Sequence, residues 1–208
     1  MARPVGEALK SALDPARRMT LRFVTGNKGK LHEAQVALAP REVVNADLHP
    51  VEIQADTLEE IARAKCEVLV GKLPAPFFVD DGGLFVDALR GFPGVFSAHA
   101  LQKIGVPGLL KLMEGVEDRR AHFACVVGFY DGREIHLFSG RCDGALATAP
   151  RSVGHGFGFD PIFVPEGTAQ LPRELAGKTF AEIPSDVKNR ISHRGKALAQ
   201  LVAHLATR

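Results

Sequence analysis

Two adjacent carboxylates, Asp80 and Asp81, are the side chains of this 208-residue chain that most directly indicate chemistry. They close a short apolar run at 76–80 that suits a buried strand, and two glycines follow them. Acids at a strand end beside permissive backbone suit Mg²⁺, which takes a few carboxylates, water molecules and phosphate oxygens. One carboxylate could instead activate water as a general base. The alternative is a polar turn between two strands, where Asp and Gly are the usual residues.

The segment 25–30, TGNKGK, lies where a predicted strand gives way to a helix. Its two glycines let backbone amides approach an anion, and the helix N-terminus adds partial positive charge to that of Lys28 and Lys30. The spacing is not that of a P-loop. A plain strand-to-helix turn with solvated lysines remains the alternative.

Lys65 lies in the middle of an apolar helical stripe. The apolar members of the stripe are Leu58, Ile61, Ala62 and Leu69. A lysine there must extend to solvent along its stem, pair with an acid or face a cleft. A cleft-facing lysine would be aimed at a polyphosphate. Glu52, just before this helix, is a candidate third carboxylate.

Two later segments offer groups that could recognise a flat base. The glycines of 154–161, GHGFGFDP, would leave aromatic faces exposed for stacking, or the loop could pack its Phe residues into the core. The segment 188–194, KNRISHR, offers hydroxyl, imidazole and guanidinium donors at the start of the last helix. A basic, solvated helix start is the alternative for that second segment. A Ser-His nucleophile pair is not expected, because adjacent helical residues do not face each other.

Helices interleave with strands in the pattern, and one hairpin signal is antiparallel, which predicts an α/β fold with a mixed sheet, in two lobes. The Asp131-Gly132 turn marks that hairpin. The predicted strands are 20–25, 42–48, 76–80, a return strand at 84–89, 121–130, 133–139 and a third strand at 142–148. The predicted helices are 30–39, a capped helix from Thr57 to about 71, one beginning near Pro107, and 185–206.

Composition excludes several function classes. A hydrophobic share of 46% and a charged share of 24% are those of an ordinary globular protein, with enough residues for one sizeable core or two lobes on one sheet. A net charge of +2 is too small to indicate a nucleic-acid partner, and no apolar run is long enough for a membrane span.

The N-terminal region and the cysteines give expectations about processing and location. Three cysteines without metal spacing, and no secretory signal, predict a cytoplasmic protein. Residues 1–18 are expected to be an appendage that is not native, or alternatively to hold a weak amphipathic helix at 6–13, ahead of a single domain over 19–208.

Six motifs in order make the chain resemble the inosine triphosphate pyrophosphatase family, whose members hydrolyse deaminated purine nucleotides. The motifs are T-G-N-x-G-K at 25–30, D-D-x-G-L at 80–84, G-F-P-G-V-F-S-A at 91–98, G-F-G-F-D-P-I-F at 156–163, K-T-F-A-E at 178–182 and K-x-x-x-S-H-R at 188–194. The resemblance implies a long twisted mixed sheet flanked by helices, with the active site in a groove between two lobes. It also implies a Mg²⁺-dependent homodimer that converts ITP, dITP and XTP to the monophosphate and pyrophosphate.

The resemblance carries roles residue by residue. The catalytic residues it implies are Asp81, Lys30 and Lys65. The metal ligands it implies are Asp81, Glu52 and Asp80, although Glu52 is one residue further from Lys65 than in several relatives. The substrate-binding residues it implies are Thr25, Gly26, Asn27, Lys30, Gly82, Phe157, Gly158, Phe159, Asp160, Lys188, Ser192, His193 and Arg194. Two of these depart from the family pattern, since Gly82 stands where Ser is usual and Phe159 where Tyr or Trp is commoner.

On this interpretation the acids and lysines must converge on one polyanion. Catalysis would be mostly positioning and electrostatics, and selection would depend on the oxygen at purine position 6, which adenine lacks. Two rival hypotheses are a pyrophosphatase for other modified nucleotides and a nucleotide- or RNA-binding module without hydrolysis. Paired acids in the cleft disfavour the binding module, because they repel phosphate unless a metal intervenes.

Overall fold

The computed structural model describes residues 19–152 and 156–207. The predicted appendage at 1–18 with its alternative helix, and residues 154–155 of the glycine-rich segment, lie outside the described residues. The strands are β1 (Leu21–Val24), β2 (Val43–Ala46), β3 (Phe77–Val86), β4 (Arg120–Tyr130), β5 (Ile135–Leu146) and β6 (Phe163–Pro165). The α-helices are α1 (Lys28–Leu38), α2 (Leu58–Leu69), α3 (Ser97–Lys103), α4 (Gly105–Leu112), α5 (Ser185–Ile191) and α6 (His193–Ala206).

The six strands form one open, mixed sheet in the order β2-β1-β3-β4-β5-β6. β1 runs parallel to both β2 and β3, and the remaining pairs are antiparallel. Helices pack on both faces, so the predicted α/β class with a mixed sheet is confirmed. Among the described residues, no helix is both long and apolar enough to cross a bilayer.

The alternative interpretation of the acids as a polar turn, and the return strand expected after it, were wrong. The acids lie inside β3, a continuous strand from Phe77 to Val86, and the expected return strand at 84–89 is the end of this strand followed by a short 3₁₀ turn. β3 pairs with β4 along its whole length, from Phe77 opposite Tyr130 to Val86 opposite Ala121. This long-range pairing outweighs the local preference of Asp and Gly for turns.

Position 83 of β3 is a glycine because another segment approaches closely. A Cβ on Gly83 would collide with the carbonyl group of Gly94 and lie 3.1 Å from the hydroxyl of Ser97. That hydroxyl accepts a hydrogen bond from the N–H of Leu84 at 2.8 Å. Gly83 therefore marks a close backbone contact and not a bend.

Two further predictions about segment boundaries were wrong. The third strand expected at 142–148 is the second half of β5, which pairs with β4 without a break from Ile135 to Ala145. The single helix expected at 185–206 is two helices that meet at Ser192, whose hydroxyl accepts from the N–H of Gly195 and caps α6.

The apolar core forms three clusters around this sheet. One joins α1 and α6 to the sheet around Phe23 and Phe78, whose rings stack at 4.4 Å. A second packs α2 against the opposite face around Phe77 and Val79. The third lies around Phe163, where β4, β5 and β6 meet the 3₁₀ turns of the C-terminal half.

Candidate active site

The segment 25–30 comprises the turn after β1 and the first three residues of α1. The side-chain oxygen of Asn27 accepts from the backbone N–H groups of Gly29 and Lys30 at 2.9 and 3.2 Å, and the hydroxyl of Thr25 accepts from the N–H of Asn27 at 3.1 Å. Asn27 is thus the N-cap of α1, which satisfies helix-end donors and fixes the start of the helix. The cap sets the direction in which Lys30, one turn into α1, leaves the helix.

Asp80 and Asp81 point to opposite faces of the sheet, because side chains alternate along a strand. β1 ends at Val24, which pairs with Val79, so Asp80 is the first residue of β3 beyond the end of β1. A crevice beyond the carboxyl end of a parallel strand is where open α/β sheets bind ligands. At this place a ligand can reach carboxylates from both faces.

Asp80 is buried and held by two cations. Its Oδ1 accepts from Lys30 Nζ at 2.9 Å, and its Oδ2 accepts from Arg194 Nε at 2.6 Å. Burial alone would raise the pKa of Asp80, but Lys30 and Arg194 outweigh burial and hold that pKa well below its usual range. Asp80 is therefore a permanent anion that joins α1 to α6.

Asp81 has a different environment, because only one of its oxygens is paired. Lys65 Nζ donates to Asp81 Oδ1 at 2.5 Å and lies 2.6 Å from Glu52 Oε1. Within the described residues, the buried Oδ2 of Asp81 has no hydrogen-bond partner. Burial raises the pKa of Asp81 against the opposing effect of Lys65, and the two acids together raise the pKa of Lys65 despite its burial. The carboxylate oxygen without a partner is a place for a further cation.

Two adjoining pockets connect these groups, sharing Asn27, Lys30 and Ala98. The first is lined by the sheet end, the loop before α1, the segment between β2 and α2, and α2 itself: Val24, Thr25, Gly26, Leu48, His49, Pro50, Glu52, Lys65, Val79 and Asp80. The second is more aromatic: Gly82, Gly83, Ser97, Leu101, Phe123, Phe157, Gly158, Phe159, Asp160, Lys188, His193 and Arg194.

A buried network of charges forms the wall of the aromatic pocket. Lys188 Nζ donates to Asp160 Oδ2 at 2.7 Å and to Glu33 Oε1 at 3.0 Å, and it lies 4.7 Å from the ring centre of Phe157. Arg194 Nη1 donates to Glu33 Oε2 at 2.8 Å. Asp160 also accepts from the N–H of Phe157, and burial raises its pKa although Lys188 opposes this.

Glu33 was missed by the sequence analysis. It faces inward beside Ala34 and Leu38 of α1, and it bridges two cations that lie more than 150 residues away in the sequence. The signal that could have found it is an acid on the buried stripe of a helix, the same kind of signal that drew attention to Lys65.

Burial and two neighbouring cations disfavour the protonated form of His193. Its ring stacks on Phe123 with centres 4.6 Å apart, and burial, followed by the charges of Arg194 and Lys188, holds its pKa well below the ordinary value. In the described part of the chain its Nδ1 is buried without a hydrogen-bond partner. Because His193 also lines the aromatic pocket, this nitrogen is a candidate partner for a ligand there.

The structure brings nearly all of the predicted site residues to these two pockets. Asp81 lines neither pocket, but its carboxylate pairs with Lys65, which lines the first. Ser192 lines neither pocket and caps α6. Phe159 lines the aromatic pocket but is only 3% exposed and packs into the third core cluster, as the alternative interpretation of the loop expected.

The model of the Ham1 family matches residues 21–204, which is nearly the whole described chain. The chain belongs to the Ham1 family. It is 50% identical over 184 residues to a protein from Thermococcus kodakarensis named dITP/XTP pyrophosphatase, covering 88% of this chain and 95% of the relative. Its identity to the Trypanosoma cruzi protein named inosine triphosphate pyrophosphatase 1 is 42%, over 88% of this chain and 90% of the relative.

Solved Ham1 structures share the fold as well. The Ham1 protein from Coxiella burnetii superposes with a TM-score of 0.75 at 30% identity, covering 91% of this chain and all of that chain. The Staphylococcus aureus Ham1 protein gives a TM-score of 0.74, also at 30% identity, covering 91% and 99%. The resemblance found in the sequence motifs is thereby confirmed at the level of family and fold.

Proposed function

We propose that this Ham1 protein hydrolyses deaminated purine nucleoside triphosphates, namely dITP, XTP and ITP, between the α and β phosphates, and so removes them from the nucleotide pool. The observation that carries the proposal is the pair of adjoining pockets. A cationic pocket with Lys30 and Lys65 lies at the carboxyl end of β1, and an aromatic pocket with Phe157 and Arg194 adjoins it. The names of relatives at 40–50% identity support the same substrate class.

Glu52 of the cationic pocket and Asp81, which pairs with Lys65 at its edge, form a donor set that fits a divalent ion. Asp81 has a buried oxygen without a partner in the described chain. Glu52 pairs with Lys65, the lysine that also pairs with Asp81, and its side chain is 67% exposed. Oxygen donors of this kind suit Mg²⁺. When bound, the ion would polarise phosphate oxygens and offset their charge. Asp80 is the weaker candidate ligand, because both of its oxygens already accept from cations.

The residues of the chain have distinct tasks in this proposal. Lys30 and Lys65 neutralise charge on the phosphates as the anhydride bond breaks, and Asp81 orients the attacking water through its partly unpaired carboxylate. Asp80 holds Lys30 and Arg194 in position through an ion pair with each of them. Thr25, Gly26 and Asn27 shape the turn against which the phosphates lie.

Base selection is assigned to the aromatic pocket. Phe157 stacks on the purine, while Asp160, Lys188 and Glu33 keep the loop and Arg194 in position. Arg194 uses Nε and Nη1 for its ion pairs, and its Nη2 points toward Gly82, 3.7 Å from where a Cβ would stand. A donor there matches the oxygen at purine position 6 and mismatches the amino group of adenine.

The test is pyrophosphate release from a panel of ITP, dITP, XTP, GTP and ATP, with and without Mg²⁺. We expect release from the first three only, and only with a divalent ion. Asp81→Asn is expected to abolish turnover, with Asp186→Asn on the exposed surface of α5 as the matched control. Nucleotide binding without pyrophosphate release would support the non-enzymatic alternative, and equal rates for all five would end the selectivity claim.

Three broader expectations belong to the same proposal. We propose that the protein is a homodimer, that it acts in the cytoplasm and that it binds neither nucleic acid nor membranes. Light scattering coupled to size exclusion measures the first of these directly. A monomeric mass at micromolar concentration would contradict it.

A further inference from the structure

A second group of metal-ligating side chains lies at the turn between β4 and β5, away from the two pockets. Asp131, Glu134 and His136 each present one ligand atom there, and the three atoms lie within 4.8 Å of one another. The turn is at the Phe77 end of β3, opposite Tyr130. His204 of α6 packs on His136, and it is ten residues, or roughly 15 Å, along α6 from Arg194.

The two distances from His136 are close to those between neighbouring ligands of one ion. His136 Nε2 is 3.3 Å from Asp131 Oδ2 and 3.6 Å from Glu134 Oε1. Two ligands bonded to Zn²⁺ at about 2.0–2.1 Å with a tetrahedral angle stand roughly 3.3 Å apart. His136 Nε2 is therefore close to ligand spacing from both carboxylate oxygens, and all three atoms lie within 4.8 Å of one another.

The two inner ligands are already oriented. Asp131 Oδ1 accepts from the backbone N–H groups of Arg133 and Glu134 at 2.7 and 2.9 Å, which turns Oδ2 toward His136. The ring of His136 packs against that of His204, with centres 4.4 Å apart. Such preorganisation lowers the entropy cost of binding, and carboxylates or imidazoles held by other hydrogen bonds are typical of metal sites.

We propose that this group, the hairpin metal site, binds a first-row transition ion such as Zn²⁺. An imidazole nitrogen beside two carboxylates favours such an ion over Mg²⁺, which prefers oxygen ligands alone. Glu134 has a side chain 69% exposed, so the ion can enter from solvent, and water completes its coordination. The site is separate from the proposed reaction and would stabilise the hairpin.

The experiment is calorimetric titration with Zn²⁺ alone as the probe, in saturating Mg²⁺, on the full chain. We expect about one Zn²⁺ per chain, an affinity at least tenfold weaker in Glu134→Gln and in His136→Gln, and no change in Glu114→Gln, an exposed acid elsewhere. Asp81→Asn should leave Zn²⁺ binding at the hairpin metal site unchanged, because Asp81 is a ligand proposed for the Mg²⁺ site only. Zn²⁺ should also raise the unfolding temperature of the wild type but not of Glu134→Gln.

Three results would overturn the proposal: absence of Zn²⁺ binding, binding that survives both hairpin variants, or binding that disappears in Asp81→Asn alone. Mg²⁺-dependent pyrophosphate release serves as the check that the variants are folded. We expect Glu134→Gln to leave this activity unchanged. Because binding is measured without nucleotide, its outcome is independent of whether the proposed hydrolysis is correct.

Discussion

Asp80 and Asp81 are neighbours in the sequence, yet their carboxylates pair with lysines from different helices on opposite faces of the sheet. Asp80 accepts from Lys30 of α1, and Asp81 accepts from Lys65 of α2. The alternation of β3 separates them, and the end of β1 at Val24 opens the sheet beside both. One polyanion in that opening can therefore contact two lysines that no single helix could supply.

The first prediction concerns activity. Asp81→Asn should abolish pyrophosphate release from ITP while leaving the unfolding temperature unchanged or slightly raised. Burial already disfavours the ionised form of Asp81, and Lys65 keeps Glu52 as a partner after the change. Steady-state kinetics and a thermal melt on the same preparation measure both effects. Turnover near the wild-type rate would refute the role given to Asp81.

The second prediction is that Asp80→Asn lowers the stability of the protein, which Asp81→Asn should not. Asp80→Asn leaves Lys30 and the buried guanidinium of Arg194 without their shared counter-charge. Removing one partner of a buried ion pair costs about 3–5 kcal/mol, so the unfolding free energy in urea should fall by that order. If Asp80→Asn and Asp81→Asn prove equally stable, the distinction drawn between the two acids is wrong.

Much of this site was visible in the sequence because its signals are local. Lys65 interrupts an apolar stripe, and the segment 25–30 has the composition of a helix start. The length of β3 was not predictable in that way, since Asp-Asp-Gly-Gly has the local preferences of a turn. Ten residue pairs with β4, between 35 and 53 residues apart in the sequence, override those preferences. Glu33 was hidden for the same reason, because both of its partners come from the far end of the chain.

The third prediction concerns Glu33 as a positioning residue. Glu33→Gln keeps the shape of the side chain but removes the charge between Lys188 and Arg194. A hydrogen bond to a charged group contributes about 1.5–3 kcal/mol, and tenfold corresponds to about 1.4 kcal/mol. We expect kcat/KM for ITP to fall roughly 10- to 100-fold and the preference for ITP over ATP to narrow.

The control for this third prediction is Glu174→Gln, which changes an exposed acid outside the pockets. A purely structural role for Glu33 would lower the rates for ITP and ATP in parallel. An unchanged ITP-to-ATP ratio in a folded Glu33→Gln protein would therefore count against positioning.

The fourth prediction is a pH dependence of stability from His193. Its pKa in the folded protein is well below the ordinary value of about 6.5, so the unfolded chain binds a proton first as pH falls. The contribution of His193 to the unfolding free energy should be complete above about pH 6.5 and should decline as the pH falls below it. His193→Gln should flatten this slope between about pH 6.5 and 5, whereas His49→Gln, which changes an exposed histidine, should keep it. Equal slopes in both variants would show that His193 is not the titrating group.

The fifth prediction tests why β3 has a glycine at position 83. In Gly83→Ala the new methyl group would press on the carbonyl of Gly94, which as backbone cannot move aside easily, and on the Ser97 hydroxyl that accepts from Leu84. Overpacking of this kind costs about 1–3 kcal/mol, or roughly 2–4 °C in unfolding temperature per kcal/mol for a chain of this size. Gly167→Ala is the matched control, because a Cβ there meets nothing within 4 Å. Since Gly83 also lines the aromatic pocket, a displaced 94–97 segment should raise KM for ITP in the same variant. A Gly83→Ala protein as stable as Gly167→Ala would mean that the segment yields readily, and that the close approach is not what keeps a glycine in this strand.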